Sequence, residues 1–432
     1  MKAKKFISSG HFLLVTRYSL PFTFYLQIRR LFSFIFFFTI FSAQLSCCPH
    51  CGKQSQSIND GSAVIPGAYQ TEVYFPILED KRIAVVGNHT STVGDTHLVD
   101  TLLSSGFNVV RIFSPEHGFR GTAADGEYID DGKDKNTGLP VISLYGENRR
   151  PQPQYIEDLD LIIFDIQDVG VRFYTYISTM TYVIEEAAKK GLPVMILDRP
   201  NPNGHYVDGP VLEPEFSSFV GLHPVPVVHG MTVGEYALMV NGEGWLKDEL
   251  YADIEVIKVA NYCHSTPYEV CVSPSPNLPN MTAIYLYPSL CFFEGTQISV
   301  GRGTEKPFQV FGHPELPTEK YSYLFTPKSI SASPNPPQLN RNCFGKDLSK
   351  TNPDSIRAKG FIDLTYLIDA YKNFPDKDTF FNNYFERLAG TGKLRKQIIK
   401  GIAIEEIRQS WEKDIESFKK IRKKYLLYND FE

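Results

Sequence analysis

Residues 159–166 read LDLIIFDI. The run is nearly all aliphatic and too short for an independent helix, and it lacks the apolar–polar alternation of a half-exposed strand. This is the pattern of a β-strand buried on both faces. It ends on Asp165 and Ile166, and Gln167 and Asp168 follow directly. Working outward, comparable runs occur at 192–197 (LPVMIL), 139–144 (LPVISL), 107–113 (FNVVRIF) and 82–87 (RIAVVG). Helical apolar patterns fall between them at 95–105 and 175–190. Strands alternating with helices predict an α/β fold, with a Rossmann-like, mostly parallel sheet covered on both faces. This domain is placed at residues 69–212. Past about residue 210 the rhythm gives way to Pro- and aromatic-rich stretches and then to a helical end, so residues 213–432 are read as a smaller α+β auxiliary domain. The terminal helical region breaks near Gly401, with Ile402, Ile404, Ile407 and Trp411 expected to point inward.

The N-terminus differs in kind. Lys2, Lys4, Lys5, Arg17, Arg29 and Arg30 precede the apolar run 31–43, and no acidic residue occurs before Asp60. That run is shorter than the roughly 20 residues a spanning helix needs, and a basic region followed by a short apolar one reads as an export signal. Residues 1–46 are assigned to it and 47–68 to a linker. Export would place the protein in the periplasm or, anchored, at a membrane. A lipid on Cys47 or Cys48 would tether it there; alternatively these cysteines leave with the signal or stay in the linker. A net charge of -5 over 432 residues gives no basic stripe for nucleic acid. A Cys263–Cys271 bridge is permitted by export but not assigned by spacing.

In open α/β sheets, ligands bind beyond the carboxyl ends of the strands. Those ends carry Asn88 and His89, then Glu116 and His117, then Asp168, Arg172 and Tyr174. Gly87-Asn88-His89-Thr90 is not the dinucleotide fingerprint, and no Walker loop, HExxH or GxSxG occurs. Neither a cofactor nor a metal is expected. Glu116 follows an apolar strand, where partial desolvation raises a carboxyl's pKa and suits it to general-acid work; equally, it could cap the next turn or pair with Arg120. Asp165 and Asp168 are candidates for a second carboxylate, with structural roles as the alternative, including an Asp168–Arg172 ion pair. Further on, Gly301-Arg302-Gly303 allows a tight backbone path that projects a guanidinium suited to gripping a carboxylate. Its alternative is a turn in which Arg302 pairs with Glu294 or Glu305.

VGNHTS (86–91), SPEHGFRG (114–121), FDIQDVGVRFYTY (164–176), LDRPNPNG (197–204), YPSLCFFEGTQISVGRGTEKPF (287–308) and the stretch from TGKLR (391–395) to RKKYLLY (422–428) together resemble the exo-β-N-acetylmuramidases, a family previously grouped as a bacterial domain of unknown function. The resemblance spans about residues 70–428. It implies a Rossmann-like domain, an auxiliary domain closing a cleft, and hydrolysis of terminal non-reducing N-acetylmuramic acid from peptidoglycan fragments. Glu116 matches the family's leading catalytic glutamate, and Asp168 is carried over as a cleft residue with a catalytic role. Asn88, His89, His117, Arg172, Tyr174, Glu294 and Arg302 are expected to bind substrate. The alternative is a non-catalytic muropeptide-binding protein of the cell envelope.

Overall fold

All five predicted runs are strands in the computed structural model, which describes residues 63–116, 118–120 and 132–432. The expected export signal and lipid-bearing cysteines lie outside the described residues. The main sheet contains β1 (Ile83–Gly87), β2 (Val109–Ser114), β3 (Gly132–Lys133), β4 (Pro140–Ser143), β5 (Leu161–Asp165), β6 (Val194–Leu197) and β7 (Ile254–Ile257), in the order β3-β4-β2-β1-β5-β6-β7. Only the two-residue edge strand β3 runs antiparallel to its neighbour; the other pairings are parallel. Leaving β3 aside, the order is third, second, first, fourth, fifth, sixth, which is the doubly wound Rossmann arrangement.

Both faces of this sheet are covered, which is why its strands read as unbroken aliphatic runs. Ile83, Val85, Leu161 and Ile163 point to one face and pack with Tyr74 and Leu78 of α1 (Thr71–Leu78) and Leu98, Val99 and Leu102 of α2 (Leu98–Ser104). Ala84, Val86, Ile162 and Phe164 point to the other face. There they meet Ile177, Met180 and Ile184 of α3 (Tyr176–Lys190), Tyr236 and Val240 of α4 (Val233–Gly242), and Ile284 of α5 (Met281–Leu290). Each such buried aliphatic or aromatic side chain contributes about 1.5–3 kcal/mol relative to exposure.

The second part carries a three-stranded antiparallel sheet of β8 (Val310–His313), β9 (Tyr323–Phe325) and β10 (Cys343–Asp347), with β10 in the middle. Helices α6 (Pro353–Arg357), α7 (Thr365–Asn373), α8 (Phe385–Ala389), α9 (Lys393–Ile399) and α10 (Ile404–Arg422) follow. Gly401 does separate the last two. In α10, Ile407, Trp411, Ile415 and Phe418 form the buried stripe, whereas Ile402 and Ile404 are only half-buried.

The expected boundary after residue 212 cuts through this architecture, because β7 pairs with β6 and completes the sheet. Of its segment Ile254–Ile257 only the last residue is fully buried, as at the edge of a sheet, so it lacks the long aliphatic run that marked the other strands. Cys263 and Cys271 are both free thiols.

Candidate active site

Strands β2 and β4 are neighbours, with Ser114 paired to Ser143. Two residues further along each chain, Glu116 and Tyr145 enter the wall of a cavity of about 850 Å³. Tyr176 at the start of α3 and Tyr174 and Thr175 just before it add to the lining, and the second part of the chain brings Glu294, Arg302, Phe308 and Tyr384. Thr175 Oγ1 approaches Glu116 Oε2 at 3.5 Å. Among the described residues lining this cavity, the carboxylates are Glu116 and Glu294. Arg120, the alternative partner expected for Glu116, instead bridges Asp100 and Asp134 at 2.8 Å each.

Tyr176 is held by a buried chain of bonds. The Asn88 amide oxygen accepts from Thr90 N (2.9 Å) and Thr90 Oγ1 (2.6 Å), which fixes the amide so that Nδ2 donates to the Tyr176 hydroxyl at 2.9 Å. Burial, reinforced by the Glu116 charge, holds that hydroxyl well above the usual tyrosine range. Asn88 therefore acts one layer behind the cavity. The same is true of His89, whose Nε2 meets Ser273 O at 2.8 Å, while the Tyr174 hydroxyl donates to Pro274 O at 2.7 Å. Together they pin the 273–275 loop, whose Ser275 lines the cavity. His117 lies outside the described residues.

The crevice between β1 and β5, where a doubly wound sheet would seat a dinucleotide, is occupied by the protein's own polar groups. Gln167 N donates to Thr90 Oγ1 at 2.9 Å, and Gln167 Nε2 donates to the carbonyls of Asp168 and Pro200 at 2.8 Å each. Asp165 is a structural residue, paired with the buried Arg199 at 2.5 Å.

Two expected site residues do not reach the cavity. Arg172 is 0% exposed and donates to four carbonyls, those of Pro210 and Val225 at 2.8 Å and of Leu388 and Ala389 at 2.9 Å. The last two sit at the C-terminus of α8, the negative end of its dipole. This guanidinium is a strut between the two parts of the chain. Asp168 is 5% exposed, with Oδ1 accepting from Gly170 N at 2.6 Å and Oδ2 buried without a hydrogen-bond partner among the described residues. Burial raises its pKa to about 7. It makes no ion pair with Arg172, and neither residue lines the cleft.

Arg302 does line the cleft, and its Nε donates to Glu294 Oε1 at 2.5 Å while its guanidinium lies 5.1 Å from the Phe308 ring centre. Of the two expected alternatives, the ion pair with Glu294 is the one formed, and it sits in the cavity wall. Tyr145, Tyr176 and Tyr384 escaped sequence reading as site residues, because an aromatic residue beside a core strand or helix looks like core.

Residues 83–282 match the N-terminal domain, and residues 285–428 the C-terminal domain, of exo-β-N-acetylmuramidase NamZ. The chain belongs to this family of glycosidases. It is 38% identical over 371 residues to the peptidoglycan β-N-acetylmuramidase NamZ of Bacillus subtilis (strain 168), covering 81% of this chain and 88% of that protein. Two crystal structures of DUF1343 family proteins from Bacteroides fragilis NCTC 9343 share the fold. One is 52% identical, with a TM-score of 0.80 over 85% of this chain and all of that one; the other is 28% identical, with a TM-score of 0.71 over 85% and 99%. The two NamZ domains meet at the start of α5, and the cavity takes Glu116 from one and the Glu294–Arg302 pair from the other.

Proposed function

We propose that the chain is an exo-acting glycoside hydrolase that releases terminal non-reducing N-acetylmuramic acid from peptidoglycan fragments, with Glu116 donating the proton to the leaving oxygen. The observation that carries this reading is the placement of Glu116 beyond a strand end in a cavity that is also lined by a carboxylate–guanidinium pair. Glycosidases generally work with a carboxyl that protonates the leaving group and a second group across the sugar. Glu294, the other carboxylate among the described residues lining the cavity, would take the second place. Arg302, which pairs with Glu294 in the cavity wall, would recognise the lactyl carboxylate that distinguishes muramic acid from N-acetylglucosamine. The activity named for the 38% identical relative supports the substrate class. Such a substrate lies outside the cytoplasm, in keeping with the basic-then-apolar pattern of residues 1–46.

The test is release from a chromogenic N-acetylmuramide by the purified protein and by Glu116→Gln. Loss of a proton donor lowers kcat by about 10²–10⁴. A wild-type protein that binds muropeptides but releases nothing at any pH would support the binding-protein alternative, and full activity in Glu116→Gln would remove Glu116 from the chemistry.

A further inference from the structure

Most aromatic rings in the cleft wall are spent on one another. Phe173, Tyr174, Tyr176, Tyr287 and Phe308 line the cleft and are buried. They meet edge to face in one connected cluster. Tyr287 touches Phe173, Tyr174 and Phe308 with ring centres 5.3, 6.0 and 4.9 Å apart, and Tyr174 touches Tyr176 at 4.9 Å. Tyr384 differs. Nine large apolar side chains stand exposed among the described residues, and Tyr384, at 36%, is the one of them that lines the cleft. Its neighbours Phe381 and Phe385 pack on each other at 4.5 Å, and no described ring or cation stacks on Tyr384 itself. A lone apolar side chain on an outer surface needs no explanation. An unpartnered ring in a concave, carboxylate-lined cavity stands where a ligand goes.

The backbone ties this ring to Glu294. Tyr384 directly precedes α8, and its N–H donates to Asn382 Oδ1 at 2.8 Å. The Asn382 side-chain amide donates in turn to Glu294 O at 3.2 Å and Thr296 O at 3.3 Å, and Asn382 N donates to Gly295 O at 2.9 Å. The two segments are in direct contact, since a Cβ added at Gly295 would lie 2.5 Å from Phe385 Cα. Tyr384 and Glu294 thus belong to one hydrogen-bonded unit. Desolvation, followed by the neighbouring Cys291, Glu294 and Glu116, holds the Tyr384 hydroxyl above the usual tyrosine range, so both cleft carboxylates act on this side chain.

In the glycosidase reading the reacting sugar lies between Glu116 and Glu294, and a ring acted on by both borders that same sugar. A hexopyranose with equatorial substituents turns axial C–H bonds to its faces, which makes them apolar and slightly positive. The face of an aromatic ring is its negative side, and flat contact of the two adds many small dispersion terms. Such a contact reads the sugar ring and is indifferent to the lactyl group.

We propose that Tyr384 is the stacking platform of the site, packing its ring against the face of the sugar held between Glu116 and Glu294. This rests on the glycosidase reading above. The test titrates the full chain with free N-acetylmuramic acid by calorimetry, which needs no turnover, and measures kcat/KM on paired chromogenic N-acetylmuramide and N-acetylglucosaminide. Tyr384→Ala should weaken N-acetylmuramic acid binding by roughly three- to tenfold, the size of one aromatic contact. Tyr384→Leu, which keeps apolar bulk beside α8 should alanine disturb the fold, should lose as much. Tyr384→Phe should recover most of the loss, because the ring and not the hydroxyl makes the contact. The ratio of kcat/KM between the two glycosides should stay at its wild-type value in Tyr384→Ala, in contrast to Arg302→Ala. A phenylalanine variant as weak as alanine would assign the effect to the hydroxyl and overturn the platform, as would alanine or leucine variants that bind like wild type. A wild type that binds the sugar with this pattern of variants yet releases nothing counts against the glycosidase reading alone, and a wild type that neither binds nor releases it overturns both.

Discussion

Replacing Arg172 by methionine should unfold this protein more easily and leave the cleft's affinity for sugar unchanged. The side chain is fully buried and its two terminal nitrogens satisfy four carbonyls from three separate stretches of chain, at 210, 225 and 388–389. No carboxylate among the described residues partners it, and burial pulls its pKa down to about 9. Each hydrogen bond from a charged donor is worth about 1.5–3 kcal/mol, and a buried acceptor left bare costs about 1–3 kcal/mol. Four such losses are not additive, since removing the cation also returns its desolvation cost and carbonyls recover partners by relaxation. The net loss is therefore about 3–5 kcal/mol, the range for breaking a buried charged network. Lysine should fare little better, because an ammonium cannot reproduce the planar fork. The assay is chemical denaturation of wild type, Arg172→Met and Arg172→Lys, with Michaelis–Menten kinetics measured on the folded fraction at low temperature. An Arg172→Met variant within about 0.5 kcal/mol of wild type, the range of bland surface substitutions, but with a raised KM, would refute the strut and restore Arg172 to the substrate site.

Gly390 caps α8 at φ 72°, and an added Cβ would meet Arg172 Nη2 at 2.5 Å. Gly390→Ala should therefore destabilise the same junction by about 2–4 kcal/mol through left-handed strain plus displacement of the guanidinium, read in the same denaturation assay; an unchanged midpoint would contradict the packing described. The Asp168 carboxyl keeps its proton up to about pH 7 when folded but loses it near pH 3.8 when unfolded. Its contribution is complete below pH 3.8 and is lost as pH rises to about 7, with a penalty on the ionised form of at most about 4 kcal/mol above that. Asp168→Asn should flatten the stability–pH profile between pH 4 and 7, and an unaltered slope would exclude this carboxyl as its source. Arg302→Ala should erase the preference for muramic acid over N-acetylglucosamine at the non-reducing end, measured as a ratio of kcat/KM values with paired chromogenic glycosides; an unchanged ratio would assign lactyl recognition elsewhere.

The parallel sheet was legible from sequence because both its faces are buried, which forces the aliphatic runs at 82–87, 107–113, 159–166 and 192–197. Glu116 was legible for a related reason: the residue after a buried strand emerges at the sheet's carboxyl edge, where clefts form. β7 was not, since an edge strand buries only part of its surface and carries no such signature. Arg172 and Asp168 show a deeper limit. Chain position put both just past a strand end, yet one turns inward to carbonyls nearly forty to over two hundred residues away and the other is buried, accepting from Gly170 N. Local sequence sets periodicity, and with it strands, helices and their faces. Which polar side chains meet water, and which become struts, depends on contacts between distant segments, and only the packed tertiary structure decides those.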